Sequence, residues 1–208
     1  MTYHRTTTAL LLVDPYNDFL SEGGKLWPRV KEIAEEIKLL DHLRALVSVA
    51  RERGIKIFFV PHHRYEPGDY EKWRHPSPYQ LGGAKRQTFA KGTWGGTFHD
   101  DFQPQPADIV VHEHWGSSGF ANTDLDLQLK QFGISHVLLV GMIANTCIEA
   151  TGRFATELGY HVTLVKDATS AFSPEAMHAA HVINGPTFAH VVTTTDELIA
   201  ELMALQSE

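Results

Sequence analysis

Apolar runs of strand length alternate with segments of helical spacing along nearly the whole chain, and few architectures accommodate that order. Strand patterns are predicted at Thr8–Asp14, Lys56–Pro61, Asp108–His112, Val137–Val140, His161–Lys166 and His190–Thr193. Helical spacing is predicted over Val30–Arg53, with Val30, Ile33, Ile37, Leu40, Leu43, Leu46 and Val47 on one face and Gly54 as the C-terminal stop. Further helices are predicted at Asp124–Phe132, Ile148–Leu158, Pro174–Asn184 and Thr195–Leu205. Parallel strands joined through helices cross over right-handed, so this order predicts an α/β fold: a six-stranded, mainly parallel sheet covered on both faces. The weakly periodic stretch from His62 to Pro106, rich in Gly, Pro, His and aromatics, is expected to form loops and short helices.

The length of 208 residues suits one domain spanning 1–208. A formal charge of −7 speaks against nucleic acid or an anionic membrane surface as partner. The single cysteine excludes an intrachain disulfide, and Met1 to Arg5 lacks the apolar core of a signal peptide. No apolar run is long enough to cross a bilayer, and the chain reads as cytoplasmic.

That cysteine, Cys147, follows the apolar run Val137 to Val140, a glycine at 141, and the capping residues Asn145 and Thr146 that open a helical pattern. A lone cysteine is ordinarily a small buried hydrophobe. Placed between strand and helix, it instead meets unpaired N–H groups that favour a thiolate and can accept an oxyanion. The carboxyl ends of the other strands are polar too, carrying Asp14, His62-His63, Glu113-His114 and Lys166-Asp167. In an open parallel sheet those ends form the ligand crevice. Asp14 on its own is a turn or capping aspartate; paired with Cys147 it is a candidate general base.

Asp14, Cys147 and Lys166-Asp167 lie within a set of five spaced motifs: Leu11 to Phe19, Lys91-Gly92-Thr93-Trp94, Asp108 to Val111 followed by Ser118 to Leu125, Gly141 to Cys147, and Lys166-Asp167-Ala168. Together they resemble the isochorismatase-like cysteine hydrolases, a family that includes nicotinamidases, N-carbamoylsarcosine amidohydrolases, ureidoacrylate amidohydrolases and isochorismatases. The resemblance implies a three-layer α/β/α sandwich, assembly as a homodimer or homotetramer, and an Asp, Lys, Cys triad in which Asp14 matches the base and Cys147 the nucleophile. It also implies a cis peptide at Met142-Ile143 and an oxyanion hole formed by the N–H groups of Ile143 and Cys147. The lysine is missing. Counting along the strand from Asp108 puts Glu113 in its place, whereas counting back from Ser118 puts His114 there. The strand count is preferred, which makes Glu113 the third catalytic candidate and sets two carboxylates beside the thiol, each raising the other's pKa.

Nicotinamidases of the family hold a metal after the second strand, where this chain has His62, His63 and His75 but Pro61 in the aspartate position. No metal and no cofactor are expected. Tyr16, Phe19, Trp94, His114, Trp115 and Met142 are candidates to contact a small-molecule substrate, with Trp27 and Phe172 further aromatics facing the site. The resemblance implies hydrolysis of a small amide, ureide or related acyl compound through a Cys147 thioester. Two alternatives stay open: an isochorismate-type vinyl ether hydrolase working by acid catalysis without thiol attack, and a non-catalytic small-ligand binder.

Overall fold

The computed structural model describes residues 3–205. Six strands, β1 (Thr8–Val13), β2 (Lys56–Val60), β3 (Ile109–Val110), β4 (His136–Met142), β5 (His161–Ser170) and β6 (Val191–Thr193), form one sheet in the order β3-β2-β1-β4-β5-β6. Every neighbouring pair is parallel. The helices are α1 (Asn17–Leu20), α2 (Trp27–Glu36), α3 (Leu39–Glu52), α4 (Pro78–Arg86), α5 (Leu125–Gln131), α6 (Glu149–Glu157), α7 (Pro174–His178), α8 (Gly185–Phe188) and α9 (Thr195–Met203).

Strand pleating divides the core into two. Leu10, Leu12, Phe59, Leu138, Val140 and Val165 face α2, α3 and α9 through Val30, Leu43, Leu46, Leu198 and Leu202. Ala9, Leu11, Val13, Phe58, Leu139 and Leu164 face α5, α6 and α8 through Leu125, Leu129, Ala155 and Phe188. The result is a three-layer α/β/α sandwich. Among the described residues no helix is long and apolar enough to cross a membrane.

The predicted Val30–Arg53 helix is two helices, broken at Lys38, which takes a left-handed φ of 54°. A continuous helix would carry the Val30, Ile33, Ala34, Ile37 stripe onto Asp41 and Arg44. The break rotates the second segment so that Leu39, Leu43, Leu46, Val47 and Ala50 are buried instead. Gly54 stops α3 at φ 68°, as expected. At the amino-terminal edge of the sheet, His136, His161 and His190 form a row of imidazoles, with centroids 4.8 and 4.5 Å apart. At the other edge, β1 and β4 lie side by side at the point where strand order reverses, so their carboxyl ends open into one crevice.

Candidate active site

Three fully buried side chains meet in that crevice. Asp14 follows β1 with a positive φ of 52°. Cys147 sits in a five-residue π-helical turn, Ala144–Ile148, that leads from β4 into α6. His114 follows β3, and one oxygen, nitrogen and sulfur of the three residues all lie within 4.8 Å of one another. Gly141 permits the junction: its φ is 113°, and a Cβ there would lie 2.1 Å from the Val13 carbonyl oxygen. The Met142-Ile143 peptide is cis.

The proton positions follow from the partners. His114 Nδ1 lies 2.7 Å from the Gly116 carbonyl oxygen, which only accepts, so Nδ1 carries a hydrogen. Nε2 then faces Asp14 Oδ1 at 3.0 Å. Burial pulls the His114 pKa down, but the Asp14 charge and the hydrogen bonds to Asp14 and Gly116 outweigh it, leaving it raised. Cys147 is pushed well above the ordinary thiol value, first by burial and then by the Asp14 carboxylate. The Thr146 hydroxyl, 3.8 Å from the sulfur, and the Ile143 N–H act in the opposite direction. The resting thiol is therefore protonated and lies next to the Asp14 side chain.

Glu113 is not in this cluster. His114 N donates to Pro61 O and His63 N donates to His114 O, so the chain past β3 continues as an extended partner of the segment after β2. Alternation along extended backbone then turns His114 inward and Glu113 away. Glu113 accepts from Arg64 Nε at 2.6 Å and from Arg64 N at 3.0 Å, and lies 3.3 Å from His63 Nδ1. Burial raises its pKa, but His63 and Arg64 bring it down to about 2. The expected carboxylate pair with mutually raised pKa values does not form. His114, rather than Glu113, is the residue placed beside Asp14.

Beside the cluster is a cavity of about 240 Å³ reaching Asn145, Thr146, Tyr79 and His62, with Arg29, Arg86 and Thr88 among its other walls. Tyr79, at the start of α4, presents its hydroxyl to Cys147 and Thr146; burial, Cys147 and Asp14 raise its pKa. Neither Tyr79 nor the role of α4 was legible in the sequence, because α4 buries no residue and has no apolar stripe. Of the proposed substrate contacts, Phe19 and Met142 are core residues without exposure. Tyr16 is also buried, donating its hydroxyl to His62 O and stacking on Phe89 at 4.6 Å. Trp94 is exposed outside the cavity, and Trp115 stacks on His63 at 3.5 Å on the far side. Trp27 is tied to Glu22, while Phe172 does line the cavity.

Several motif residues brace these walls. Asn17 Nδ2 donates to Trp94 O and Thr97 Oγ1, and Asp18 accepts from the backbone of Lys25 and Phe89. Asp167 accepts from Thr195 N and Oγ1 at the start of α9, away from the cluster.

Residues 8–196 match the isochorismatase domain. A ureidoacrylate amidohydrolase, RutB, from Pantoea ananatis is 32% identical over 191 residues, covering 87% of this chain and 76% of the relative. Among solved structures, a cysteine hydrolase from Pseudomonas syringae pv. phaseolicola shares the fold with a TM-score of 0.83 at 24% identity, covering 98% and 96% of the two chains. An N-carbamoylsarcosine amidase from Thermoplasma acidophilum is 26% identical with a TM-score of 0.66, covering 91% and 97%.

Proposed function

Because this chain belongs to the isochorismatase family, we propose that it is a cysteine hydrolase cleaving a C–N bond of a small amide or ureide. The convergence of Asp14, His114 and Cys147 within 4.8 Å in the crevice carries this reading. Asp14 takes the thiol proton as sulfur attacks the carbonyl carbon, with the N–H groups of Ile143 and Cys147 holding the oxyanion. Collapse of the tetrahedral intermediate breaks the C–N bond, and the leaving nitrogen receives the proton from Asp14. Water then attacks the thioester while Asp14 accepts its proton, and the expelled thiolate recovers a proton to restore the resting thiol. His114 steadies the Asp14 charge through the 3.0 Å contact.

The cavity supports a substrate with an anionic end. No Asp or Glu lines it, in a chain whose 25 acidic residues outnumber 18 lysines and arginines. Arg29 and Arg86 both line it, and neither has a carboxylate within 4.0 Å among the described residues. Such a compound is of the class named in the ureidoacrylate amidohydrolase relatives. Mass spectrometry during turnover of a panel of small ureides and amides should show an acyl adduct on Cys147. Cys147→Ala should lose turnover by at least about a thousandfold while keeping its fold. The raised thiol pKa favours one second reading, in which acid catalysis by the Asp14–His114 pair drives vinyl ether cleavage without thiol attack. Retained turnover in Cys147→Ala, with loss in Asp14→Asn, selects it.

A further inference from the structure

We infer that Asp14, His114 and Cys147 together form a binding site for a divalent, thiolate-preferring metal ion of the zinc class, and that the ion switches the site off. The donor set is sulfur, imidazole nitrogen and carboxylate oxygen, which suits zinc or cobalt rather than magnesium or calcium. Bond lengths of about 2.0 to 2.3 Å place tetrahedral donors roughly 3.3 to 3.7 Å apart. Here nitrogen and oxygen are 3.0 Å apart and all three donors lie within 4.8 Å, so small side-chain adjustments bring them around one ion.

Two further observations favour an ion. His114 Nδ1 donates to the Gly116 carbonyl, the outer contact that fixes a ligating imidazole with Nε2 facing inward. Asp14 Oδ2 is buried and, among the described residues, has no hydrogen-bond partner, which leaves it free to ligate. A lysine in place of His114 would bring a cation unable to ligate and would repel the metal. The histidine at this position therefore adds a capacity that the resemblance to lysine-bearing relatives does not imply. Bound metal engages the sulfur, so the loaded form cannot make the thioester; this consequence for activity rests on the function proposed above.

The test is titration of metal-stripped protein with Co²⁺. One equivalent should produce a near-ultraviolet thiolate-to-cobalt charge-transfer band with visible bands of a four-coordinate ion. Zn²⁺ should displace the cobalt. Cys147→Ala should abolish the charge-transfer band, and His114→Lys should weaken binding on the order of a hundredfold or more. Zn²⁺ should inhibit wild-type turnover over the concentration range in which it binds, and chelator should restore it. Absence of the charge-transfer band, its persistence in Cys147→Ala, or unweakened cobalt binding in His114→Lys overturns the metal site. Turnover that survives in Cys147→Ala while the wild-type spectrum is as expected overturns the cysteine-hydrolase reading and leaves the metal site standing.

Discussion

At the scale of single residues, the contrast between Glu113 and His114 is the sharpest test of the site. The two are adjacent in sequence, yet only His114 contacts Asp14. His114→Gln should lower kcat on the order of a hundredfold or more, since it removes the group that steadies the charged base. Glu113→Gln should leave kcat within a few-fold of wild type, because it disturbs only the contacts to Arg64 and His63. Steady-state kinetics on the two variants checks both. Asp14 and Cys147 were legible in the sequence because each follows a strongly apolar strand, which fixes its position to the residue. The choice between Glu113 and His114 was not, because β3 is only two residues long and a shift of one residue on extended backbone inverts the direction of every side chain. Tyr79 escaped for a different reason: it reaches the sulfur from a solvent-facing helix, through tertiary geometry that no local pattern encodes.

The elements hold the site through two backbone features. Gly141 ends the close approach of β4 to β1, and Gly141→Ala would force a Cβ against the Val13 carbonyl as well as an unfavourable φ. That substitution should destabilise the protein by at least about 2 kcal/mol, as measured by urea unfolding, and scatter the crevice geometry. Lys38, between α2 and α3, is the opposite case. Its left-handed conformation is held by the packing of the two flanking helices, and Lys38→Gly should stabilise by up to about 1 kcal/mol in the same assay. The break itself was hidden in the sequence because no Gly or Pro marks it; only the phase of the apolar stripe does. The parallel sheet and its covering by helices on both faces, by contrast, were legible from the alternation of periods, whereas the order of the strands was not.

For the molecule as a whole, acid is the vulnerable side. Burial lowers the pKa of His62 and of His181 to about 4. In the imidazole row at the amino edge, burial and neighbouring histidines lower His136 and His161 as well. These groups bind protons more readily when unfolded, so their contribution to stability is complete above pH 6.5 and is lost as pH falls toward 4. Each contributes a slope of up to about 1.4 kcal/mol per pH unit. Urea midpoints measured from pH 7.5 to 4.5 should fall, and His161→Leu should flatten the curve, because among the described residues neither ring nitrogen of His161 has a hydrogen-bond partner.

The neighbouring central strands also dictate when this protein can first work. Asp14 follows β1 and Cys147 follows β4, so a polypeptide emerging from the ribosome holds its carboxylate long before its sulfur. Until β4 inserts beside β1 the three side chains of the crevice cannot meet, and a chain that stops before β4 has no such cluster.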